Sequence, residues 1–464
     1  MVRLFNTYFP KRIVLLALSE AFLVLIVLVG LLTFYRGSDF GALFANGREF
    51  AQITAIGLVC IICLYYQDLY YDPKLTEEPS QLLGRLARAL GVASILLALL
   101  YLVFPAVELK GGLAVIGITL IGFCLAMTRQ AFASLNRVDR WSTSTLVIGD
   151  GVLAGHVVEA IQRRPALGLK LAGYIGNSSK TFSADDDVRC VGCLDDLSGI
   201  VQRYGVRRVI VALEDRRAKL PVETLLDLKT AGVAIQEGAE FYEFTMGRIP
   251  VENVRLSWLI FGPGFQVSKL RSFYKRLLSV ILALIGLVVF LPLMLLIALA
   301  IWIDSPGPVI FRQVRIGMGG LPFTLYKFRT MFHQADQGKD PLPVQPNDRR
   351  VTRVGRWLRQ FRFDEIPQLY NILLGHMSLV GPRPFVPNQE LELAQQIPLY
   401  KQRWAIRPGA TGWAQVQRGY CATVDDNVEK LAYDLFYIKN MSIGFDLLIL
   451  AKTVKIVFAG IGGR

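Results

Sequence analysis

Two adjacent carboxylates, Asp364 and Glu365, stand among Arg359, Arg362 and Arg383 in the stretch RQFRFDEIPQLYNILLGHMSLVGPRP. Acids set among cations suit chemistry on phosphate. Guanidinium groups neutralise phosphate oxygens, and a carboxylate can attack phosphorus or hold a divalent metal. A plainer reading makes Asp364 a helix N-cap, with Glu365 and Pro367 in the first turn of a helix through Leu374. The two readings are compatible, because helix N-termini attract anions.

The neighbouring segments must position this pair. VIFRQVRIG reads as a strand and PFTLYKFRTM as its hairpin partner, whereas DQGKDPLPVQPND (336–348) reads as a polar, proline-rich surface loop. Arg349, Arg350, Arg353, Arg356 and Arg359 then follow within a few residues of one another. Such a run is usually a solvated or lipid-facing helix face. Its place directly before the acids turns at least Arg359 toward them.

Of the 464 residues 53% are hydrophobic, and the net charge is +14. An apolar yet basic chain points to a membrane protein whose cations meet anionic lipid or phosphorylated substrates. Nucleic acid is not the expected partner, since the basic residues are spread between hydrophobic spans. Cys190 and Cys193 form a C-x-x-C, but only His156, His333, His376 and Cys421 remain outside the apolar runs as zinc ligands, all scattered. Reduced thiols are expected.

Ile13 to Tyr35 is apolar apart from Glu20, and is too long for the apolar region of a secretory signal. Shorter apolar runs follow at about Phe50–Tyr66, Leu86–Phe104 and Gly111–Met127. Four in series predict a four-helix membrane bundle over 1–140. The loops bearing Lys74, Arg85 and Arg88, and Arg129, Arg137 and Arg140, put both ends of the bundle in the cytoplasm.

From 141 to 264 short β-rich runs alternate with amphipathic stretches: TLVIGDG, LAGYIG, RRVIVAL and GVAIQEG. They predict a cytosolic, Rossmann-like α/β domain with a parallel sheet. Gly149-x-Gly151-x-x-Ala154 approaches the dinucleotide fingerprint, but the acidic residue expected after the second strand is missing at Asn177. A tight strand-to-helix turn accounts for these glycines without NAD. Residues 265–303 contain the uncharged run Leu277–Ile303, flanked by cations on both sides and interrupted by Pro292. A crossing helix would drag one basic flank outward. A re-entrant hairpin broken at Pro292 keeps both inside. Residues 304–464 then form a small α+β catalytic domain.

FRQVRIG, YKFRTM, DEIPQLYNILLGHMSLVGPRP, RPGATGWAQV and YDLFYIKNMSIGFDLLILAKT resemble the bacterial sugar transferase family, the monotopic polyprenyl-phosphate phosphoglycosyl transferases, over about 269–464. The N-terminal bundle and α/β domain are similar to its large members, the undecaprenyl-phosphate glucose phosphotransferases, and the opening FNTYFPKRIVLLALSEAFL to the exosortase and exopolysaccharide-associated subgroup. The resemblance implies transfer of a hexose 1-phosphate from a UDP-sugar such as UDP-glucose to polyprenyl (undecaprenyl) phosphate. UMP is released, and exopolysaccharide or O-antigen synthesis begins. It implies Asp364 as the nucleophile that carries the phosphosugar and Glu365 as ligand of Mg²⁺ or Mn²⁺. Arg383 and Pro384 match its PRP motif, and Arg359, Lys327, Arg329, Arg312 and Arg315 join them as candidate substrate-binding residues. The family's hairpin breaks at Ser-Pro. Here the pair is Leu291-Pro292. The expected partners are the UDP-sugar, polyprenyl phosphate and the lipid bilayer, with a homodimer and other polysaccharide-assembly proteins as further candidates. The expected location is the bacterial inner (cytoplasmic) membrane, multi-pass, with the catalytic domain facing the cytoplasm.

Overall fold

The computed structural model describes all residues except 1, 5–6, 37–46, 68, 71–78, 110–111, 138–141, 177–188, 214–219, 252–263, 266–267, 333–347, 419–422 and 459–464. The loop expected at 336–348 lies outside the described residues apart from Asp348, as do Lys74, Lys110, Arg140, Asn177, His333 and Cys421. The chain divides into two compact units, one essentially Tyr8–Gly238 and the other essentially Ala239–Arg464.

The first unit opens with four long helices, Lys11–Arg36, Gly47–Tyr66, Pro79–Val103 and Leu113–Arg137. Each is long and apolar enough to cross a membrane. Their shared core includes Leu28, Leu32, Ile56, Cys60, Leu64, Ala89, Ile121 and Leu125. Glu20, the lone acid of the first run, is fully buried, and Arg129 meets it at 2.7 Å. Tyr70 Oη donates to the same carboxylate at 2.6 Å. A carboxylate among apolar helices needs such partners, because unpaired burial is costly.

The α/β sheet is parallel: β1 (Thr143–Ile148), β2 (Leu169–Ile175), β3 (Cys190–Gly192), β4 (Arg208–Val211) and β5 (Ala234–Glu237), in the order β3-β2-β1-β4-β5. β1 is central and buried, as its continuous run LVI requires. Four strands fall where the sequence places them. β3, only three residues long, is an addition, and it carries Cys190.

The second unit begins with the helix Gly238–Met246, which the sequence places in the α/β domain. Its Glu243 is fully buried against Lys439 Nζ at 2.7 Å, and Ile249 sits in the core formed by Leu431, Leu435, Phe436 and Phe445. These contacts bind residues 239–251 to the C-terminal unit. The helix Lys269–Asp304 runs 36 residues with Pro292 inside it, helical on both sides of the proline. Near its start Lys275 pairs with Asp446 at 2.9 Å, and Ser279 Oγ lies 3.1 Å from Ser378 Oγ. Near its end Ile297 and Ile301 pack on Phe328 and Leu358. Asp304 then accepts from Val354 N at 3.1 Å. Much of its outward surface is bare leucine, valine and isoleucine, including Leu284, Val288, Leu295 and Leu299.

The hairpin expected from the sequence is present: β6 (Ile310–Ile316) pairs antiparallel with β7 (Pro322–Phe328), Phe311 opposite Lys327 and Arg312 opposite Tyr326. Beyond it come the helices Arg353–Gln360 and Gln368–Leu374 and a two-strand parallel pair, β8 (Ser378–Val380) with β9 (Gly409–Thr411). Val424–Asn440 and Ile443–Phe458 complete the unit.

Candidate active site

Asp364 and Glu365 sit in a single 3-10 turn, Phe363–Glu365, just before the helix Gln368–Leu374. Asp364 does not cap that helix: the position before the turn is Arg362, at φ +56, and the one before the helix is Pro367. The N-cap reading is corrected accordingly. The left-handed residue at Arg362 is uncommon outside glycine and asparagine. It turns the chain so that consecutive acids face the same cations, and such outliers cluster at working sites.

Glu365 takes the stronger ion pairs. Its Oε1 receives Arg383 Nη2 at 2.7 Å and Lys327 Nζ at 2.9 Å. Lys327 reaches Asp364 Oδ2 only at 3.7 Å. Burial works against both carboxylates, but Arg383 and Lys327 outweigh it at Glu365 and hold that group well below the usual carboxylate range. At Asp364 burial wins over Lys327, with the Glu365 charge adding to the push, and the carboxyl is raised. Two neighbouring acids therefore differ in character. One is a fixed, paired charge, and the other is a buried carboxylate with weaker partners and greater basicity.

Hairpin register sorts the basic candidates. Lys327 and Arg315 lie on the face of the ribbon turned to the acids, and Arg312 lies on the other. Arg315 Nη1 donates to Pro384 O at 3.2 Å, and burial beside Arg383 pushes its guanidinium down to about 10. Arg312 instead stands over the Tyr326 ring, 5.9 Å from its centroid. Arg329 is buried elsewhere: its Nη2 donates to Ser305 O at 2.6 Å and its Nη1 to Pro306 O at 3.0 Å, fastening the end of the long helix. Arg359 donates from Nε to Thr330 Oγ1 at 2.8 Å, and its charge acts on Asp364. The helix carrying it can lie that close only because residue 355 is glycine; a Cβ there would come within 2.1 Å of Thr330 O. The structure thus brings Asp364, Glu365, Lys327, Arg383, Arg315, Pro384 and Arg359 together, and leaves Arg312 and Arg329 outside.

Several contributors were not picked out from the sequence. Asn371 fixes the acid-bearing helix to the hairpin, accepting from Tyr326 N at 3.0 Å and donating to Thr324 O at 2.6 Å. Arg403, Glu390 and Asp434 form a buried ionic group behind the PRP loop. Trp357, Phe361 and Phe363 make an aromatic cluster beside the acids, with centroids 5.2 to 5.9 Å apart, and Trp357 is half exposed. An arginine-rich helix with aromatic side chains suits the headgroup zone of a bilayer.

Among the described residues no three His, Cys, Asp or Glu side chains gather to hold a metal. Mg²⁺ needs no such cage, since it commonly takes one or two carboxylates and fills its octahedron with water and substrate phosphate. Asp364 and Glu365 fit that donor set.

Among the described residues the chain carries five helices long and apolar enough to cross a membrane, and a paired-carboxylate site ringed by guanidinium and ammonium groups, an arrangement suited to chemistry on phosphate. Comparison with known proteins makes this specific. Residues 270–460 match the bacterial sugar transferase family, and residues 69–230 match a CoA-binding domain. The chain is 48% identical over 205 residues to a UDP-glucose:undecaprenyl-phosphate glucose-1-phosphate transferase of Caulobacter vibrioides, covering 42% of this chain and 76% of that one. It is 32% identical over 354 residues to the protein of that description in Escherichia coli, covering 75% of each. It is also 39% identical over 234 residues to a UDP-N-acetylgalactosamine-undecaprenyl-phosphate N-acetylgalactosaminephosphotransferase of Aeromonas hydrophila, covering 50% of this chain and 54% of that relative. The chain belongs to the bacterial sugar transferase family.

Proposed function

We propose that the protein transfers a hexose 1-phosphate from a UDP-sugar to undecaprenyl phosphate, with Asp364 as covalent carrier. A carboxylate oxygen of Asp364 attacks the sugar-bearing phosphorus, its bond to the bridging oxygen breaks, and UMP leaves. A phosphate oxygen of the polyprenyl acceptor then attacks that phosphorus. The product is polyprenyl-diphospho-sugar, and the aspartate is released for the next cycle. The observation that carries this reading is the asymmetry of the acid pair: Glu365 is locked to Arg383 and Lys327, while Asp364 is the more basic carboxylate beside them. Phosphoryl transfer asks the protein mainly for positioning and for cations around the equatorial oxygens. Lys327 and Arg383 supply those charges, and Arg315 holds Pro384 in place.

Glu365, with Asp364 beside it, would hold Mg²⁺, which would add charge neutralisation for a bound diphosphate. UDP-glucose is the first donor to assay and UDP-N-acetylgalactosamine the second, following the relatives' names. The step begins exopolysaccharide or O-antigen synthesis on the cytoplasmic face of the bacterial inner membrane. Asp364→Asn keeps size and removes the charge, so UMP release from a UDP-sugar falls roughly 10³-fold or more. Unchanged turnover would remove the covalent mechanism.

The helix Lys269–Asp304 is read as re-entrant, dipping into the cytoplasmic leaflet and returning at Pro292. A straight helix of this length is about 54 Å, well beyond the roughly 30 Å hydrocarbon core. What supports re-entry is that one compact unit grips both ends, Arg276 donating to Leu373 O at 3.0 Å and Asp304 accepting from Val354 N. Single cysteines placed just before 269 and just after 304 are expected to label from the cytoplasmic side only. Labelling of the second from outside would establish a crossing helix.

A further inference from the structure

We infer that Arg403 is a positioning residue that fixes Arg383 for its work on phosphate. The inference rests on the reading of the acid pair given above. Residues 381–385 form a loop whose main chain is tied at successive positions. Gly381 N donates to Thr411 O at 2.8 Å, and Pro382 O accepts from Gly409 N at 2.9 Å. Arg383 O accepts from Arg403 Nη2 at 2.9 Å, and Pro384 O from Arg315 Nη1 at 3.2 Å. Phe385 O accepts from Ile316 N at 3.2 Å, and its N–H donates to Glu390 Oε1 at 3.3 Å. A loop so fastened delivers the Arg383 side chain to Glu365 with little freedom left.

Of these ties, the one on Arg383 itself comes from Arg403. That guanidinium is only 5% exposed and employs all three nitrogens: Nε on Asp434 at 2.9 Å, Nη1 on Tyr400 Oη at 2.5 Å and on Glu390 at 3.5 Å, Nη2 on the Arg383 carbonyl. It also stacks over the Phe385 ring, 5.1 Å from the centroid. One planar group therefore holds the main chain at Arg383 and packs on the side chain of Phe385, to either side of Pro384. Lysine cannot match this fork, because an ammonium is a point charge without the guanidinium's fixed directions. The two buried acids hold Arg403 in turn, so its orientation is set before any substrate arrives.

The test is a double-mutant cycle on the full-length protein in detergent, with UDP-glucose and undecaprenyl phosphate as substrates. Arg403→Lys is expected to raise KM for the UDP-sugar or lower kcat by about tenfold, with the melting temperature near that of the parent. Arg383→Met is expected to lose more. If Arg403 acts through Arg383, the double variant is no worse than Arg383→Met alone. Losses that multiply, or Arg403→Lys at parental kcat and KM, would overturn the inference. Should Arg403→Lys fail to fold, Asp434→Asn loosens the far side of the guanidinium without touching the loop, and the same cycle with Arg383→Met applies. An inert parent protein, or Arg383→Met at full activity, overturns the underlying reading of the site and the inference with it. Multiplied losses with an active parent and a crippled Arg383→Met overturn the inference alone.

Discussion

The acid pair and the glycine turn of the α/β domain are the two places where this sequence advertises chemistry, and the structure treats them differently. At the acid pair, residues from β7, the 3-10 turn and the PRP loop converge within 2.7 to 3.7 Å. In the turn after β1, Gly149 adopts φ +132, and a Cβ there would come within 2.5 Å of Ala212 O. The glycine is explained by the close crossing of two backbone segments. At the first site the observed contacts join charged groups and shift their proton affinities; at the second they join backbone to backbone. A fingerprint of glycines carries little until charged or polar groups converge on it, whereas two carboxylates with a shared ring of cations already have a task.

Removing divalent metal should have the largest effect at the acid pair. Turnover in excess EDTA is expected to fall to background and to return with added Mg²⁺ or Mn²⁺, and full activity in EDTA would contradict Glu365 as a metal ligand. The pH profile is a finer probe. Asp364 must be ionised to attack, and burial raises its pKa. Activity is therefore lost as pH falls through a value above the ordinary aspartate range. Lys327 opposes that rise, so Lys327→Met should move the acid limb of kcat/KM to higher pH, on top of a lower rate. A limb that stays put would mean some other group titrates. The smallest effect belongs to the α/β turn. Gly151 has an ordinary φ of −87. Gly151→Ala is expected to leave UMP release within about twofold, and a large loss would give that turn a part in catalysis.

Much of the frame could be read from the sequence because it depends on local pattern. Apolar runs gave the long helices, alternating β-rich runs gave four of the five strands in the α/β sheet, and the matched segments 310–316 and 322–328 gave the hairpin. The acid pair was legible for the same reason, its unusual residues being contiguous. What stayed hidden depends on distance along the chain. Arg403 and Asp434 are 31 residues apart, and Glu20 and Arg129 are 109 apart. Buried charges look in a sequence like the solvated charges they outnumber so rarely. The basic candidates show the same limit. Arg312 and Arg315 are equally arginine in sequence, yet strand alternation turns only one toward the acids, and Arg329 lies past the last paired residue of β7, where it fastens a helix end.

The covalent role of Asp364 is the claim on which the rest stands, and intact mass spectrometry with peptide mapping tests it most directly. Purified protein incubated with UDP-glucose and Mg²⁺, without lipid acceptor, is expected to gain one hexose-phosphate. The adduct should map to Asp364 and vanish when undecaprenyl phosphate is added. A hexose-phosphate mapped to any other side chain, or turnover with no adduct at any time, would contradict the account.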